Sequence, residues 1–159
     1  MSMQQKRIME DTEGRAICGF RKKMMSMSGA AHITVDDQNG ATLAIATIKR
    51  RGMLALSGAD IYLHNPPMHI DNVTTDGLPF AIHVDGNPIR FEYEFMMGNM
   101  NDNPFKIARV TRKFKLINAQ DSYFIEIGPN VDVAFMSMCT YAIDELFLTI
   151  RINLSHFQG

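Results

Sequence analysis

Hydrophobic and polar residues alternate along this chain over short stretches, which turn-forming residues separate. The clearest alternation is in Ile89–Phe95, where Phe91, Tyr93 and Phe95 are interleaved with charged residues, as in a strand with one buried face. Short strands at such regular spacing are typical of a β-sandwich or a β-barrel. The predicted strands are Arg15–Phe20, His32–Val35, Thr42–Lys49, Ala59–Leu63, His69–Val73, Phe80–Val84, Ile89–Phe95, Phe105–Thr111 and Tyr123–Ile127.

One segment near the C-terminus departs from this pattern. After the break at Pro129, the segment Val131–Phe147 has no charged residue between Asp132 and Asp144. Its apolar residues would lie on every side of a helix, which is the pattern of a buried helix. Because the rest of the chain is predicted to be strands, the sequence predicts a helix enclosed by a sheet. Leu148–Leu154 alternates again and predicts a last strand.

A short motif occurs three times in the sequence. Ile17–Lys23, Ile45–Arg51 and Ile107–Lys113 align without gaps, with apolar residues at the first and fourth positions and two or three cations at the end. The spacing between the copies is unequal, which indicates a decayed duplication rather than a solenoid. Each copy predicts a strand with inward apolar residues and a hydrated cationic end.

Together these features resemble the tubby-like superfamily, and within it the LURP-one-related domain family. The resemblance rests on the three basic strand ends, the segment Asp121–Ile127 and the helix segment Val131–Leu146, and it extends from about Gly14 to Phe147. It implies an α+β, mainly β fold, in which a closed antiparallel barrel of about ten to twelve strands surrounds a central hydrophobic C-terminal helix. Residues 1–13 are then an N-terminal extension, and residues 14–159 are the barrel domain.

The resemblance suggests two kinds of function, which are phosphoinositide binding and scramblase activity. Tubby proteins bind phosphoinositides through basic residues on the barrel, and the related scramblases carry a membrane helix. The longest apolar stretch here, Val133–Ile143, is about half of the roughly 20 residues that a membrane span requires, so a transmembrane segment is not expected.

Composition and charge narrow the function classes further. The 159 residues suit a single domain, and 46% hydrophobic with 21% charged residues is ordinary globular composition. The net charge of −1 gives no general attraction to polyanions, so any such attraction needs a local patch. Cys18 and Cys139 form no metal or redox motif, and the N-terminus has no apolar signal segment, which together favour an intracellular location.

The basic strand ends are the candidate ligand site. If they converge, their cations could hold a phosphorylated headgroup through charge-assisted hydrogen bonds. Solvated strand ends explain the same clusters equally well, and opposite strand directions would scatter them. The candidate residues are Arg21, Lys22, Lys23, Lys49, Arg50, Arg51, Arg109, Arg112 and Lys113.

Other chemistries have less support in the sequence. His64 and His69 are the only close pair of histidines, and their spacing matches no common metal-binding pattern, so no metal is expected. No hydrolase motif or phosphate-binding glycine loop occurs, and the chain is expected to be non-enzymatic and without a cofactor. A pI near 6.5 disfavours nucleic acid as a partner.

Two functional hypotheses follow. The first is a binding module for anionic phospholipid headgroups, phosphoinositides among them, at the basic strand ends of an intracellular protein peripheral to a membrane. The alternative is a protein–protein interaction or assembly subunit with no lipid ligand. It is motivated by the thirteen methionines, of which Met24, Met25 and Met27 follow a basic cluster and Met96, Met97 and Met100 follow a strand.

Overall fold

The computed structural model describes residues 4–23, 30–36, 39–51, 58–64, 82–87, 90–98, 103–113 and 122–156. Nine strands and one helix lie within these residues. They are β1 (Gln4–Glu10), β2 (Ala16–Lys23), β3 (Ala30–Asp36), β4 (Thr42–Arg50), β5 (Ala59–Leu63), β6 (Ile82–Asn87), β7 (Glu92–Met97), β8 (Phe105–Lys113), β9 (Ser122–Ile127) and α1 (Val133–His156).

All nine strands form one antiparallel sheet, in which each strand pairs with its neighbour in sequence. Phe20 of β2 lies opposite Ile33 of β3, and Ile48 of β4 lies opposite Ile61 of β5. Because side chains alternate between the two faces of a strand, this register puts the apolar residues on one continuous inner face. Within the described residues β1 and β9 are the edge strands and do not pair, so closure into a barrel of ten to twelve strands stays a prediction.

Helix α1 begins where Asp132 caps its first turn. The Asp132 Oδ1 accepts a hydrogen bond of 2.8 Å from the backbone N–H of Phe135, and the Asp132 carbonyl accepts one of 3.1 Å from Met136. Such a cap satisfies backbone donors that have no partner inside the helix. The helix then packs on the inner face of the sheet, in contact with β2, β3 and β4 on one side and with β9 on the other. The sheet therefore curves around the helix.

Burial of α1 is complete on one side and partial on the other. The buried side chains recur every three or four residues and include Met136, Cys139, Ala142, Ile143 and Phe147. On the other side Asp144 and Glu145 are half-buried and Leu148 is 40% exposed. The sequence predicted burial on all sides of the helix, and this side does not show it. Its carboxylates would lose the free energy of hydration if they were fully buried.

The end of the helix differs from the sequence prediction. Leu148–Leu154 was predicted as a strand, but it continues α1 to His156, so that prediction is wrong. No glycine or proline separates this segment from the helix, and alternation over so few residues also fits a helical period.

The strands agree better with the prediction, except at the start of the chain. Strand β1 lies inside the predicted N-terminal extension and pairs with β2, and its mostly polar sequence gave no alternation that would predict it. The predicted strand His69–Val73 lies outside the described residues.

Both cysteines are buried as free thiols, Cys18 in β2 and Cys139 in α1. Burial raises the pKa of the Cys139 thiol, and the thiolate charge of Cys18 adds to this. Burial also raises the pKa of Cys18, with a further contribution from the carboxylate of Asp132. Both thiols are therefore protonated near neutral pH and poorly reactive.

We expect Ellman's reagent to label neither thiol rapidly in the folded protein at about pH 8, whereas both should react at once in denaturant. Since folding raises these pKa values, the stability that the neutral thiols contribute is complete below the unfolded pKa and is lost as the pH rises towards the folded one. Urea unfolding at increasing alkaline pH should show this decrease. Rapid labelling of two thiols without denaturant would contradict the described burial.

Candidate functional site

The strand directions decide where the three basic clusters lie. Because every neighbouring pair is antiparallel, β2, β4, β6 and β8 run in the same direction. The C-terminal ends of these four strands therefore lie at one end of the sheet, which we call the basic end. The cations at this end are Lys22, Lys23, Lys49, Arg50, Arg51, Arg90, Arg112 and Lys113.

The clusters of β2 and β4 lie close together. Lys22 is opposite Ala31 of β3, and Ala31 is opposite Ile48 of β4, so a single strand separates the two clusters. Two strand spacings correspond to about 10 Å. The cluster of β8 lies four strands from β4, about 19 Å along the curved sheet. The basic end therefore has one dense group of cations and one separate group.

Arg51 is engaged inside the fold. Its Nη2 donates a hydrogen bond of 2.6 Å to the carbonyl of Val84 in β6, and its Nε lies 3.7 Å from the Asp60 Oδ1. The same carboxylate oxygen lies 2.8 Å from the Nδ1 of His83. Asp60 is buried, so Arg51 and His83 supply the partners that a buried carboxylate needs. Arg51 thus ties the end of β4 to β5 and β6.

Lys49 and Arg50 have different surroundings. The Lys49 Nζ lies 4.9 Å from the centre of the Tyr62 ring, a cation–π contact on the outer face. Among the described residues, the Nε atoms of Arg50 and Arg51 are the buried side-chain nitrogens with no hydrogen-bond partner. The Arg51 Nε faces the Asp60 carboxylate at 3.7 Å, so the buried N–H of Arg50 is the one without a nearby acceptor, which costs free energy.

Arg112 belongs to an aromatic cluster beside the helix. Its guanidinium lies 4.7 Å from the centre of the Phe91 ring, and this ring lies 5.1 Å from that of Tyr123. The Tyr123 hydroxyl donates a hydrogen bond of 2.8 Å to Asp144 of α1. Phe91 is fully buried and has a φ of 56°, a backbone conformation that residues other than glycine rarely adopt. The cluster therefore fixes Arg112 at the basic end between β7 and α1.

Arg109 is not at the basic end. It lies in the middle of β8, where its Nε is 3.9 Å from the Glu94 Oε1. The Nζ of Lys106 lies 2.9 Å from the same oxygen. Arg109 is thus part of a surface ion-pair group, and the structure does not bring this predicted residue together with the others. For Arg21, the backbone places it opposite His32, two residues before the end of β2.

The structure adds Arg90, which the sequence analysis missed. Arg90 is exposed in the turn that joins β6 to β7 at the basic end, and its backbone N–H donates to Asn87. Arg90 belongs to none of the three repeated strand ends, so the repeated motif does not include it. The sequence does show turn-forming residues at Asp85–Pro88, just before Arg90. They place Arg90 at the basic end only when the strand directions are known.

The histidines do not form a metal site within the described residues. The Thr47 Oγ1 lies 2.8 Å from the His64 Nε2 and 3.0 Å from the His32 Nδ1, so a hydroxyl joins these two side chains. His69 lies outside the described residues. In the ranges that the structure covers, no three residues of the types His, Cys, Asp and Glu are placed to hold a metal ion. No helix in those ranges combines the length and apolar character needed to cross a membrane.

The architecture is a single antiparallel sheet curved around a C-terminal helix, with cations gathered at one end. A family model described as LURP-one-related matches residues 1–144. This match covers most of the chain, so the chain belongs to the LURP-one-related family, as the sequence motifs predicted, and the tubby-like superfamily is consistent with it. Comparison with curated proteins and with solved structures gives no match.

Proposed function

We propose that this chain is a non-enzymatic, intracellular binding module whose basic end holds anionic phospholipid headgroups, with phosphoinositides as the leading class. The observation that carries the proposal is the common direction of β2, β4 and β8, which end in the three basic clusters. A net charge of −1 makes this local concentration of cations the surface that would meet an anionic membrane.

The arginines at the end of β4 support a ligand with strong acceptors. Phosphate oxygens would supply a partner for the buried Nε of Arg50, through a charge-assisted hydrogen bond. Arg51 already binds the Val84 carbonyl and its Nε faces the Asp60 carboxylate, so Arg51 holds the end of β4 in place and Arg50 is the arginine there that a ligand would contact. A headgroup with several phosphates could also reach the cations of β2, about 10 Å away.

The membrane surface would add to the affinity. Each Lys or Arg held near an anionic leaflet contributes about 1 kcal/mol, and the contribution decreases as salt screens it. Exposed Arg90 lies at the same end as the three clusters. Binding is therefore expected to orient the molecule with its basic end towards the bilayer.

We also propose that the sheet closes into a barrel around α1, as the family resemblance implies. The contact of α1 with β2, β3 and β4 and also with β9 supports this, because strands near both edges of the sheet approach the same helix. A closed sheet would have no edge strand open to other chains.

Co-sedimentation with liposomes tests the lipid proposal. The vesicles contain phosphatidylcholine alone, phosphatidylserine added, or phosphatidylinositol bisphosphate added at matched total charge. We expect the phosphoinositide vesicles to bind most protein, with the bound fraction falling as salt rises. Equal and negligible sedimentation with all three vesicles at low salt would contradict the proposal, and equal binding to both anionic vesicles would reduce it to surface charge alone.

Matched substitutions locate the site. Combining Arg50→Gln with Arg112→Gln should weaken binding to phosphoinositide vesicles about tenfold or more, since both cations are at the basic end. Combining Lys106→Gln with Arg109→Gln removes the same two charges from β8 away from the basic end and should change binding little. Equal losses for both proteins would place the interaction elsewhere.

A further inference from the structure

The end of the sheet opposite the basic end exposes apolar side chains. Eight large hydrophobic side chains are exposed among the described residues, and five of them lie here. We call this surface the apolar end, and its residues are Ile8 (48% exposed), Ile17 (43%), Leu43 (51%), Phe105 (56%) and Val133 (63%). They lie late in β1 and at the starts of β2, β4, β8 and α1. Ile8 and Ile17 border the same groove, and adjoining exposed apolar side chains are typical of an interaction surface.

Acidic residues flank the apolar end. The exposed carboxylates at this end are Glu10, Glu13, Asp36 and Asp132. Among the described residues two cations lie at this end, and both have carboxylate partners. The Arg15 Nε lies 2.7 Å from the Asp11 Oδ2 and its Nη2 lies 3.1 Å from the Glu13 Oε2, and the Lys106 Nζ lies 2.9 Å from the Glu94 Oε1. In the part of the chain that the structure describes, carboxylates therefore outnumber cations at the apolar end, whereas cations outnumber the exposed Asp85 and Glu92 at the basic end, so the two ends carry opposite charge.

A small groove shows how this surface could receive a cation. It has a volume of about 50 Å³ and lies across β1, β2 and β3, with Ile8 and Ile17 among its walls and Asp36 in its lining. Gly19 pairs with Ile8 and with Thr34, so no side chain fills the space between them. A groove that combines apolar walls with a carboxylate suits the methylene stem and charged head of a lysine or arginine.

We propose that the apolar end receives the basic end of a second copy of this chain, so that copies associate head to tail. The argument is charge complementarity between two surfaces of the same molecule. The basic end also exposes apolar area, at Tyr123 (36%), Phe124 (49%) and Leu148 (40%), which could pack against the apolar end. Two like ends would repel each other, so the contact joins unlike ends.

A head-to-tail contact has a distinct consequence. Each copy keeps one unused end after a first contact, so association continues beyond a dimer unless the copies close into a ring. The contact also uses the surface that we propose for lipid binding, and anionic vesicles should compete with it. The association itself does not depend on lipid binding, and it can be measured without any lipid.

Sedimentation velocity of the full chain tests the proposal. At about 50 mM salt the average mass should rise with protein concentration, and at about 500 mM salt the protein should sediment as a monomer, because ions screen the contact. A monomer at all concentrations in low salt would overturn the proposal. Association that is unchanged by salt would also overturn it, since charge is its basis.

Charge reversal identifies the two surfaces. Asp36→Lys at the apolar end and Arg90→Glu at the basic end should each weaken association about tenfold. Glu92→Lys makes the same change of net charge as Asp36→Lys, but at the start of β7 at the basic end, and should not weaken it.

A mixture of the two variants with weakened association tests the head-to-tail contact directly. The Asp36→Lys protein retains its basic end, and the Arg90→Glu protein retains its apolar end, so a 1:1 mixture should associate more strongly than either alone. No gain on mixing, or equal weakening by Glu92→Lys, would overturn the head-to-tail contact. All three positions are exposed, and circular dichroism melting checks that each variant folds.

Discussion

Replacing Phe20 by alanine is expected to lower the free energy of unfolding by about 3–5 kcal/mol. Phe20 has no exposed surface, lies opposite Ile33 in the sheet, and meets the ring of Tyr141 of α1 edge to face at 5.4 Å. Its removal would leave a cavity where β2, β3 and the helix meet. Urea denaturation followed by circular dichroism measures the loss.

Phe105→Ala is the matched control for this substitution. It removes the same atoms from a side chain that is 56% exposed, and should cost less than about 1 kcal/mol. Both proteins should be compared in high salt, so that association does not contribute. Similar losses for Phe20 and Phe105 would show that the helix does not pack on β2 as described.

Replacing Gly58 by alanine is expected to cost about 3 kcal/mol or more. Gly58 has a φ of +121°, and a Cβ atom there would collide with the carbonyl oxygen of Val84. It would also lie 2.6 Å from the Arg51 Nη2, which binds that same carbonyl. The substitution therefore strains the backbone and displaces the link between β4 and β6. Chemical denaturation measures the change.

Gly40→Ala separates backbone strain from steric collision. Gly40 also has a positive φ, +78°, but a Cβ atom there meets nothing within 4 Å. Its replacement should cost about 1 kcal/mol, the usual penalty for a side chain in this conformation. If the two substitutions lower the free energy of unfolding equally, the packing of Arg51 against Val84 is not as tight as the contacts indicate.

The parts of the fold that depend on local pattern were predictable from the sequence. Alternation located β4 and β7 to within a few residues, and the break at Pro129 with Asp132 behind it located the start of α1. The end of α1 was not predictable in this way, because seven alternating residues after Phe147 fit a helix as well as a strand.

The candidate site was predictable in composition but not in arrangement. The sequence shows which residues are basic, whereas their common end depends on each strand pairing with its neighbour in sequence. The role of Arg51 depends on Val84, thirty-three residues away, and on the space that Gly58 leaves beside it. Contacts between residues so far apart in sequence leave no periodic signal in a single chain.

Helix α1 follows the nine described strands in the chain, and this order affects folding during synthesis. A ribosome makes the strands first, and their inner face lacks the side chains of Met136, Ile143 and Phe147 until the helix has left the exit tunnel. A partly made chain exposes apolar strands at this stage, which favours aggregation and chaperone binding. The helix, which is made after these strands, is thus the segment that completes their core.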